Sequence, residues 1–115
     1  MENLSCMTFS GTGLSEVLAG GAQNSVLLLN VDRGSIVKQE PTAEWYTKLR
    51  KGRVICGATI NGNIAIIDPR VSLSPQSGVN AAHTGAIEDI DTQDNSVLTC
   101  GWTYKYLTSC SNLTN

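Results

Sequence analysis

His83 is the only histidine of this 115-residue chain, and two aspartates, Asp89 and Asp91, follow it closely. Side chains of these types can act as acid, base or metal ligand. A metal centre, however, needs more ligands that converge on one point. A lone histidine without a nucleophile or a cleft signature is weak evidence for catalysis. We therefore expect a structural role for His83, and the enzymatic alternative is a small hydrolase built on His83 and Asp89.

The other carboxylates do not suggest a nuclease. Phosphodiester cleavage by two metal ions requires several carboxylates around metals that lie about 4 Å apart. The aspartates instead lie at the predicted ends of strands or turns, as Asp32, Asp68 and Asp91 do. No nuclease motif is present. The sequence predicts no catalytic, cofactor-binding or metal-binding residue.

Two short stretches could contact nucleic acid. Trp102 to Tyr106 interleaves aromatic residues with a lysine, as base-stacking surfaces do, and Lys48 to Arg53 is the one basic cluster. Alternating aromatics are also ordinary in strands, and a short charged cluster commonly marks a solvated turn. The net charge near −2 provides no basic surface for a nucleic acid or an anionic membrane. We expect a strand and a solvated turn here, with no direct nucleic-acid site and no membrane contact.

The four cysteines, at positions 6, 56, 100 and 110, lie far apart and form no CxxC pair. The first residues show no basic stretch followed by an apolar core, so we expect no secretory signal. Free thiols are therefore expected rather than disulfides or zinc ligands. Cys56 and Cys100 each precede a glycine in similar segments, where we expect both to be buried, unreactive and packed as small hydrophobes.

Internal repeats define the elements that would position these residues. Gly21 and Gly57 lie in two similar segments, and each is followed at the same distance by an aspartate, Asp32 or Asp68. A polar turn and an apolar run separate the glycine from the aspartate in both segments. A third copy begins at residues 97–101.

The stretch from Val54 to Arg70 consists of two apolar runs joined by Asn61-Gly62. This dipeptide is typical of a type I′ hairpin turn, in which both central residues have positive φ. Both runs are apolar on both faces, unlike strands of a sheet with one wet face. Something must therefore cover the second face of this hairpin.

The chain as a whole is predicted to be all-β. Glycine and proline are frequent, and no stretch shows a sustained 3.6-residue period. With 41% hydrophobic and 16% charged residues, the chain should fold. We predict essentially no helix and antiparallel strands near residues 4–9, 16–21, 26–31, 35–39, 46–50, 53–58, 63–67, 86–91, 96–101 and 103–106.

Repeat units of roughly 36 to 44 residues with up to four strands have the size of β-propeller blades. A blade stacks face to face on both neighbours, which would cover the second face of the 54–67 hairpin. A ring typically needs about 4 to 8 blades, and this chain holds two to three. We expect an incomplete propeller whose uncovered outer sheets cause self-association, aggregation or marginal folding.

The repeats resemble WD repeats in which the WD dipeptide at the end of a strand is replaced by Val31-Asp32 in one copy and by Ile67-Asp68 in another. The stretch from His83 to Asp91, continued by 94–102, is similar to a blade of one family, the catalytic subunits of the poly(A) nuclease (PAN) deadenylation complex. Other pieces agree in order and spacing with the amino-terminal WD-repeat propeller of that family, namely 28–34, 48–57 and 62–70. The resemblance covers about residues 3 to 106.

This resemblance implies a partial WD-repeat propeller over 1–106. It also implies an unstructured or non-native tail over 107–115, which matches nothing in the family. The linker, ubiquitin-hydrolase-like domain and exonuclease domain of the family have no counterpart here, so the chain would be a non-catalytic scaffold fragment. In WD repeats, a histidine before the first strand makes a hydrogen bond within its own blade, which is the role expected for His83.

The resemblance further implies participation in shortening mRNA poly(A) tails in the cytoplasm, with P-bodies as one location. The expected partners are the pseudokinase-like regulatory subunit of the PAN complex and poly(A)-bound mRNP. No cofactor is expected. The alternative is a generic WD-repeat protein-interaction module unrelated to deadenylation.

Overall fold

The computed structural model describes residues 4–21, 25–93, 96–101 and 108–112, which form three antiparallel sheets and contain no helix. Each sheet is called a blade below. The first blade consists of β1 (Leu4–Phe9), β2 (Glu16–Gly21), β3 (Ser25–Asn30) and β4 (Ser35–Pro41). The middle blade consists of β5 (Tyr46–Lys51), β6 (Ile55–Thr59), β7 (Ile64–Ile67) and β8 (Ser77–Val79). The third blade consists of β9 (Ile87–Gln93), β10 (Ser96–Gly101) and β11 (Thr108–Asn112).

These antiparallel sheets confirm the predicted all-β fold of propeller blades. Strands follow one another in chain order within each sheet, so that each blade is a meander. The predicted strands between residues 4 and 101 are all present, with small shifts at their ends. Strand β8 was not predicted, because Ser77-Gly78-Val79 carries no apolar alternation. The predicted strand at 103–106 lies outside the described residues.

Strand β11 lies within 107–115, the segment predicted to be unstructured, and the structure differs from that prediction over Thr108–Asn112. The backbone of this strand pairs with β10 in an antiparallel register that sets Ser96 opposite Asn112 and Cys100 opposite Thr108. The pairing satisfies backbone N–H and C=O groups of β10, a requirement that a side-chain pattern does not report.

The middle blade is covered on both faces, as the apolar hairpin required. Every residue of β6 and β7 is buried. One apolar cluster joins the first blade to the middle blade and consists of Leu18, Val26, Leu28, Tyr46, Leu49, Ile55, Ala65, Ile67 and Leu73. A second cluster joins the middle blade to the third and consists of Cys56, Ala58, Ile64, Ile66, Ile87, Ile90 and Val97. Alternate residues of β7 thus contribute to opposite interfaces.

The turn between β6 and β7 is not the predicted type I′ turn. Gly62 has a φ of 85°, whereas Asn61 is not among the described residues with positive φ. The Gly62 N–H donates to the Thr59 carbonyl over 3.2 Å, and the Thr59 N–H donates to the Asn63 carbonyl over 3.0 Å. This pattern is typical of a three-residue loop in which a type I turn is followed by a glycine in the left-handed region.

A register shift recurs at the start of each blade and fixes which residues are equivalent. It lies between Leu4 and Cys6 in β1 and between Tyr46 and Lys48 in β5. In β9 it lies between Ile87 and Asp89. Gly21 is therefore equivalent to Thr59, not to Gly57 as the sequence repeat suggested. By the same register Asp68 is equivalent to Asn30 rather than to Asp32.

Candidate functional site

The structure gives His83 the structural role that the sequence predicted. Its ring is buried, with 4% of its surface exposed, and its Nε2 atom lies 2.9 Å from the Oγ1 atom of Thr99 in β10. Its backbone N–H donates to the carbonyl of Gly62 over 3.1 Å. His83 therefore joins the third blade to the turn of the middle blade.

The two aspartates that follow His83 do not form a site with it. Asp89 and Asp91 are both exposed, whereas His83 is buried. Asp89 accepts a hydrogen bond from the backbone N–H of Ile90, and Asp91 is paired with Arg50 of the middle blade at 2.8 Å. Among the residues that the structure describes, no group of three His, Cys, Asp or Glu side chains could hold a metal ion.

Glu40 anchors the middle blade to the first, and sequence reasoning missed it. Its carboxylate accepts hydrogen bonds from the Ser72 hydroxyl at 3.0 Å, the Leu73 backbone N–H at 3.2 Å and the Ser74 hydroxyl at 3.2 Å. Lys38 adds an ion pair at 3.3 Å. These donors, with the Leu73 N–H foremost, lower the pKa of Glu40 to about 2. The only sequence signal was the run of closely spaced donors at 72–74.

The contact made by Glu40 places an apolar residue in the core. Leu73 has no exposed surface and belongs to the cluster between the first and middle blades, although it lies in the loop that connects β7 to β8. Because Glu40 holds the backbone N–H of that residue, the charged contact and the apolar contact act on the same loop.

A polar cleft lies where the first and middle blades meet at one end of their strands. It has a volume of about 140 Å³ and is lined by Ser10, Gly11, Lys51, Arg53, Val54, Ile55, Asp68, Pro69 and Arg70. Arg70 is held by Asp68 through Nε–Oδ1 and Nη2–Oδ2 contacts of 2.9 and 3.0 Å. The cleft carries cationic side chains, whereas the hydroxyl of Ser10 is buried and already bonded to Thr12 and to the Glu16 carbonyl. No catalytic arrangement is found among the lining residues.

The residues of the basic cluster at 48–53 make two kinds of contact. Arg50 is paired with Asp91, while Lys51 and Arg53 line the cleft. The side chains of Lys48, Arg50 and Lys51 are exposed, but these residues belong to strand β5, so the predicted solvated turn is limited to residues 52–54. The aromatic stretch 102–106 lies outside the described residues.

The cysteines Cys6, Cys56 and Cys100 are free thiols, and they differ in burial. Cys56 is buried as predicted, and burial raises its pKa to about 11. The prediction was wrong for Cys100, which is exposed. It occupies the position of Ala58 in the middle blade, and Ala58 is buried because another blade covers it.

Within the described ranges there is no helix long and apolar enough to cross a membrane.

No family model matches the chain. The chain is 36% identical over 105 residues to the PAN2-PAN3 deadenylation complex catalytic subunit pan2 of Neurospora crassa, a match that covers 91% of this chain and 8% of the relative. It is 36% identical over 105 residues to the corresponding subunit of Chaetomium thermophilum, of which it covers 9%. The chain thus spans less than a tenth of the length of these relatives.

The solved structures agree in fold. The WD40 domain of Neurospora crassa Pan2 superposes with a TM-score of 0.79 at 34% identity, over 96% of this chain and 35% of that one. Saccharomyces cerevisiae Sqt1 superposes with a TM-score of 0.75 over 97% of this chain and 31% of its own, and its 15% identity indicates a common fold alone. The matched region is a WD40 region and not a nuclease domain. The chain is therefore a WD40 propeller segment of the kind found in the catalytic subunits of the PAN2-PAN3 deadenylation complex.

Proposed function

We propose that this chain acts as a non-catalytic scaffold in the shortening of mRNA poly(A) tails. The observation that carries the proposal is the match of 36% identity over 105 residues to a subunit named for deadenylation. The structural match to a Pan2 WD40 domain supports it, because the same segment agrees in both sequence and fold.

The proposed partners are a PAN3-type regulatory subunit with a pseudokinase-like fold and poly(A)-bound mRNP, and the proposed location is the cytoplasm, including P-bodies. A propeller offers loops at the ends of its strands as contact surfaces. In this chain the cleft lined by Lys51, Arg53 and Arg70 is one such surface, with cationic groups suited to polar contacts. The nuclease activity would belong to another part of the assembly.

A segment exchange tests the proposal. The matched 105 residues of the Neurospora crassa catalytic subunit are replaced by the corresponding residues of this chain. We expect the chimera to copurify with the PAN3 subunit of that complex and to shorten a poly(A) RNA at a rate close to that of the unaltered subunit.

The control is the same exchange with the structurally equivalent segment of Sqt1, which shares the fold at 15% identity to this chain. We expect that chimera to lose PAN3 binding or poly(A) shortening. Folding of both chimeras is checked by circular dichroism. If the two folded chimeras behave alike, the segment contributes fold only, and the generic WD-repeat module becomes the better description. The ordered match along the chain argues against that alternative.

A further inference from the structure

The polar cleft is built by two consecutive blades. Ser10 and Gly11, which follow β1, contribute the side of the first blade. The middle blade contributes residues 51–55, from the end of β5 to the start of β6, and residues 68–70, which follow β7. The cleft lies at the ends of these strands, away from the sheet faces on which blades stack. Its walls therefore do not depend on which blades cover the outer faces of the first and third sheets.

Gly11 allows the side chain of Lys51 to reach from the middle blade to the first. Gly11 has a φ of 79°, and a Cβ atom there would lie 2.7 Å from Cε and 3.7 Å from Nζ of Lys51. Because Gly11 has no side chain, the aliphatic part of Lys51 packs on this loop. Among the described residues, no carboxylate forms an ion pair with Lys51. The cleft thus holds a positioned ammonium group without a counter-charge of its own.

The charges that line the cleft do not cancel. Lys51, Arg53 and Arg70 supply three cations and Asp68 one carboxylate, which gives a net charge of +2 in a chain of net charge −2. Arg70 binds both oxygens of Asp68 and so compensates that carboxylate. The pair takes two of the five N–H donors of the guanidinium group, and 72% of the Arg70 side chain is exposed. Donors of Arg70 therefore remain for a further acceptor.

We propose that this cleft binds an acidic peptide segment of a partner protein, with one of its carboxylate side chains among the cations. The volume of about 140 Å³ lies below the about 300–1,000 Å³ of pockets that enclose a small-molecule ligand, and it suits a single side chain. Lysine and arginine form charge-assisted hydrogen bonds with carboxylates. The inference concerns the ligand of the cleft and does not depend on a role in deadenylation.

Two features favour a peptide over RNA. Proteins that bind single-stranded RNA stack its bases on aromatic side chains, and none of the described residues that line the cleft is aromatic. Val71 directly follows Arg70 and is 67% exposed. It belongs to the middle blade, which has a neighbour on both faces, so its exposure does not result from an uncovered sheet. An apolar residue of the peptide would pack on Val71 beside the bound carboxylate.

The walls of the cleft are fixed by internal hydrogen bonds. The Ser10 hydroxyl donates to the carbonyl of Glu16 over 3.1 Å, which closes the loop between β1 and β2. The Val71 N–H donates to the carbonyl of Asp68 over 2.9 Å, which closes the turn that carries Arg70. A preformed site loses little conformational entropy when a ligand binds, so a short peptide is sufficient.

A peptide array tests the proposal on the 115-residue chain. The array holds hexapeptides with four glutamates and two leucines in every order, and a matched array has glutamine in place of each glutamate. We expect the folded chain to bind members of the acidic array and none of the glutamine array. Fluorescence anisotropy with the tightest peptide should show weaker binding as the NaCl concentration rises. Absence of binding to every acidic hexapeptide would overturn the proposal.

Lys51→Glu and Lys48→Glu form a matched pair of variants for the location of the site. Both residues are exposed in β5 and the charge change is the same, but only Lys51 lines the cleft. We expect Lys51→Glu to raise the dissociation constant of the peptide about tenfold and Lys48→Glu to change it less than about twofold. Lys51→Met keeps the contact with Gly11 and should weaken binding by an intermediate factor. Folding of each variant is checked by circular dichroism.

Two results would contradict the assignment. Equal weakening by Lys51→Glu and Lys48→Glu would mean that the peptide responds to overall charge and not to the cleft. The second comparison uses an oligoadenylate as the probe, which we expect to bind more weakly than the acidic peptide. If the oligoadenylate binds more tightly than the peptide and Lys51→Glu abolishes that binding, the cleft is an RNA site and the peptide assignment is wrong.

Discussion

His83 and Thr99 form a buried side-chain contact of 2.9 Å that joins the segment preceding β9 to β10. Thr99 is 1% exposed and His83 is 4% exposed, so water does not replace the contact if one partner is lost. Gly101 lies against the same ring, because a Cβ atom at that position would be 3.0 Å from it. The third blade is thus arranged around the one histidine of the chain.

Removing the hydroxyl of Thr99 should destabilise the fold. Thr99→Val keeps the shape of the side chain but leaves the Nε2 atom of His83 buried without a partner. We expect the free energy of unfolding to fall by about 1–3 kcal/mol, measured by urea denaturation. Thr92→Val, at a half-buried position of β9, is the matched control and should stay within about 0.5 kcal/mol. Equal losses for both variants would contradict the importance of the His83 contact.

Gly62 should tolerate no side chain, for two separate reasons. Its φ of 85° disfavours other residues, and a Cβ atom would lie 2.1 Å from the carbonyl oxygen of His83. We expect Gly62→Ala to reduce the free energy of unfolding by about 3 kcal/mol or more. Gly34 has a φ of 64° with nothing within 4 Å of a Cβ atom, so Gly34→Ala should cost only about 1–2 kcal/mol. If the two substitutions cost the same, the close approach of His83 is unimportant.

The hairpin of β6 and β7 shows what could be predicted from local pattern. Its two runs are apolar at successive positions, which indicated strands covered on both faces, and every residue in them is buried. The turn was placed correctly but its type was not. Alignment by residue type makes Gly21 equivalent to Gly57, whereas the strand pairing, with its register shift at the start of each blade, makes Gly21 equivalent to Thr59. Identical residue types therefore misled the repeat alignment.

The contacts of the candidate site depended on information that no single segment carries. Cys56 and Cys100 both precede a glycine, yet only Cys56 is buried, because burial is decided by the neighbouring blade. His83 was assigned a structural role from its isolation, but its partner Thr99 depends on the approach of β10. Glu40 binds donors more than thirty residues away, in a loop without a strong local pattern.

The thiols should differ in reactivity according to their burial. With Cys110→Ser in the background, we expect iodoacetamide at pH 8 to modify exposed Cys100 first. Cys56 should react last, because burial both shields it and raises its pKa to about 11, which leaves little thiolate. Peptide mass spectrometry over time measures the order. Modification of Cys56 before Cys100 in the folded protein would contradict the assigned burial.

Glu40 should make stability depend on pH in the acidic range. Its pKa is lowered to about 2 in the folded chain, against an ordinary value near 4.5, because the Leu73 N–H and neighbouring donors bind the ionised form. A carboxyl group whose pKa is lower in the folded state binds fewer protons there than in the unfolded chain. Its stabilising contribution is therefore complete above about pH 4.5 and is lost as the pH falls towards 2.

Glu40→Gln isolates this contribution, because the amide keeps the size of the side chain and removes the titration. At pH 7 we expect the free energy of unfolding of the variant to be about 1–2 kcal/mol lower than that of the unaltered chain. This difference should shrink steadily as the pH falls from 4.5 to 2. Urea denaturation at a series of pH values measures it. Glu88→Gln, at an exposed position of β9, controls for the loss of one negative charge and should show a much smaller difference at pH 7. A Glu40→Gln difference that persists unchanged at pH 2 would mean that Glu40 acts through its shape, and the ionised contact with the loop at 72–74 would have to be abandoned.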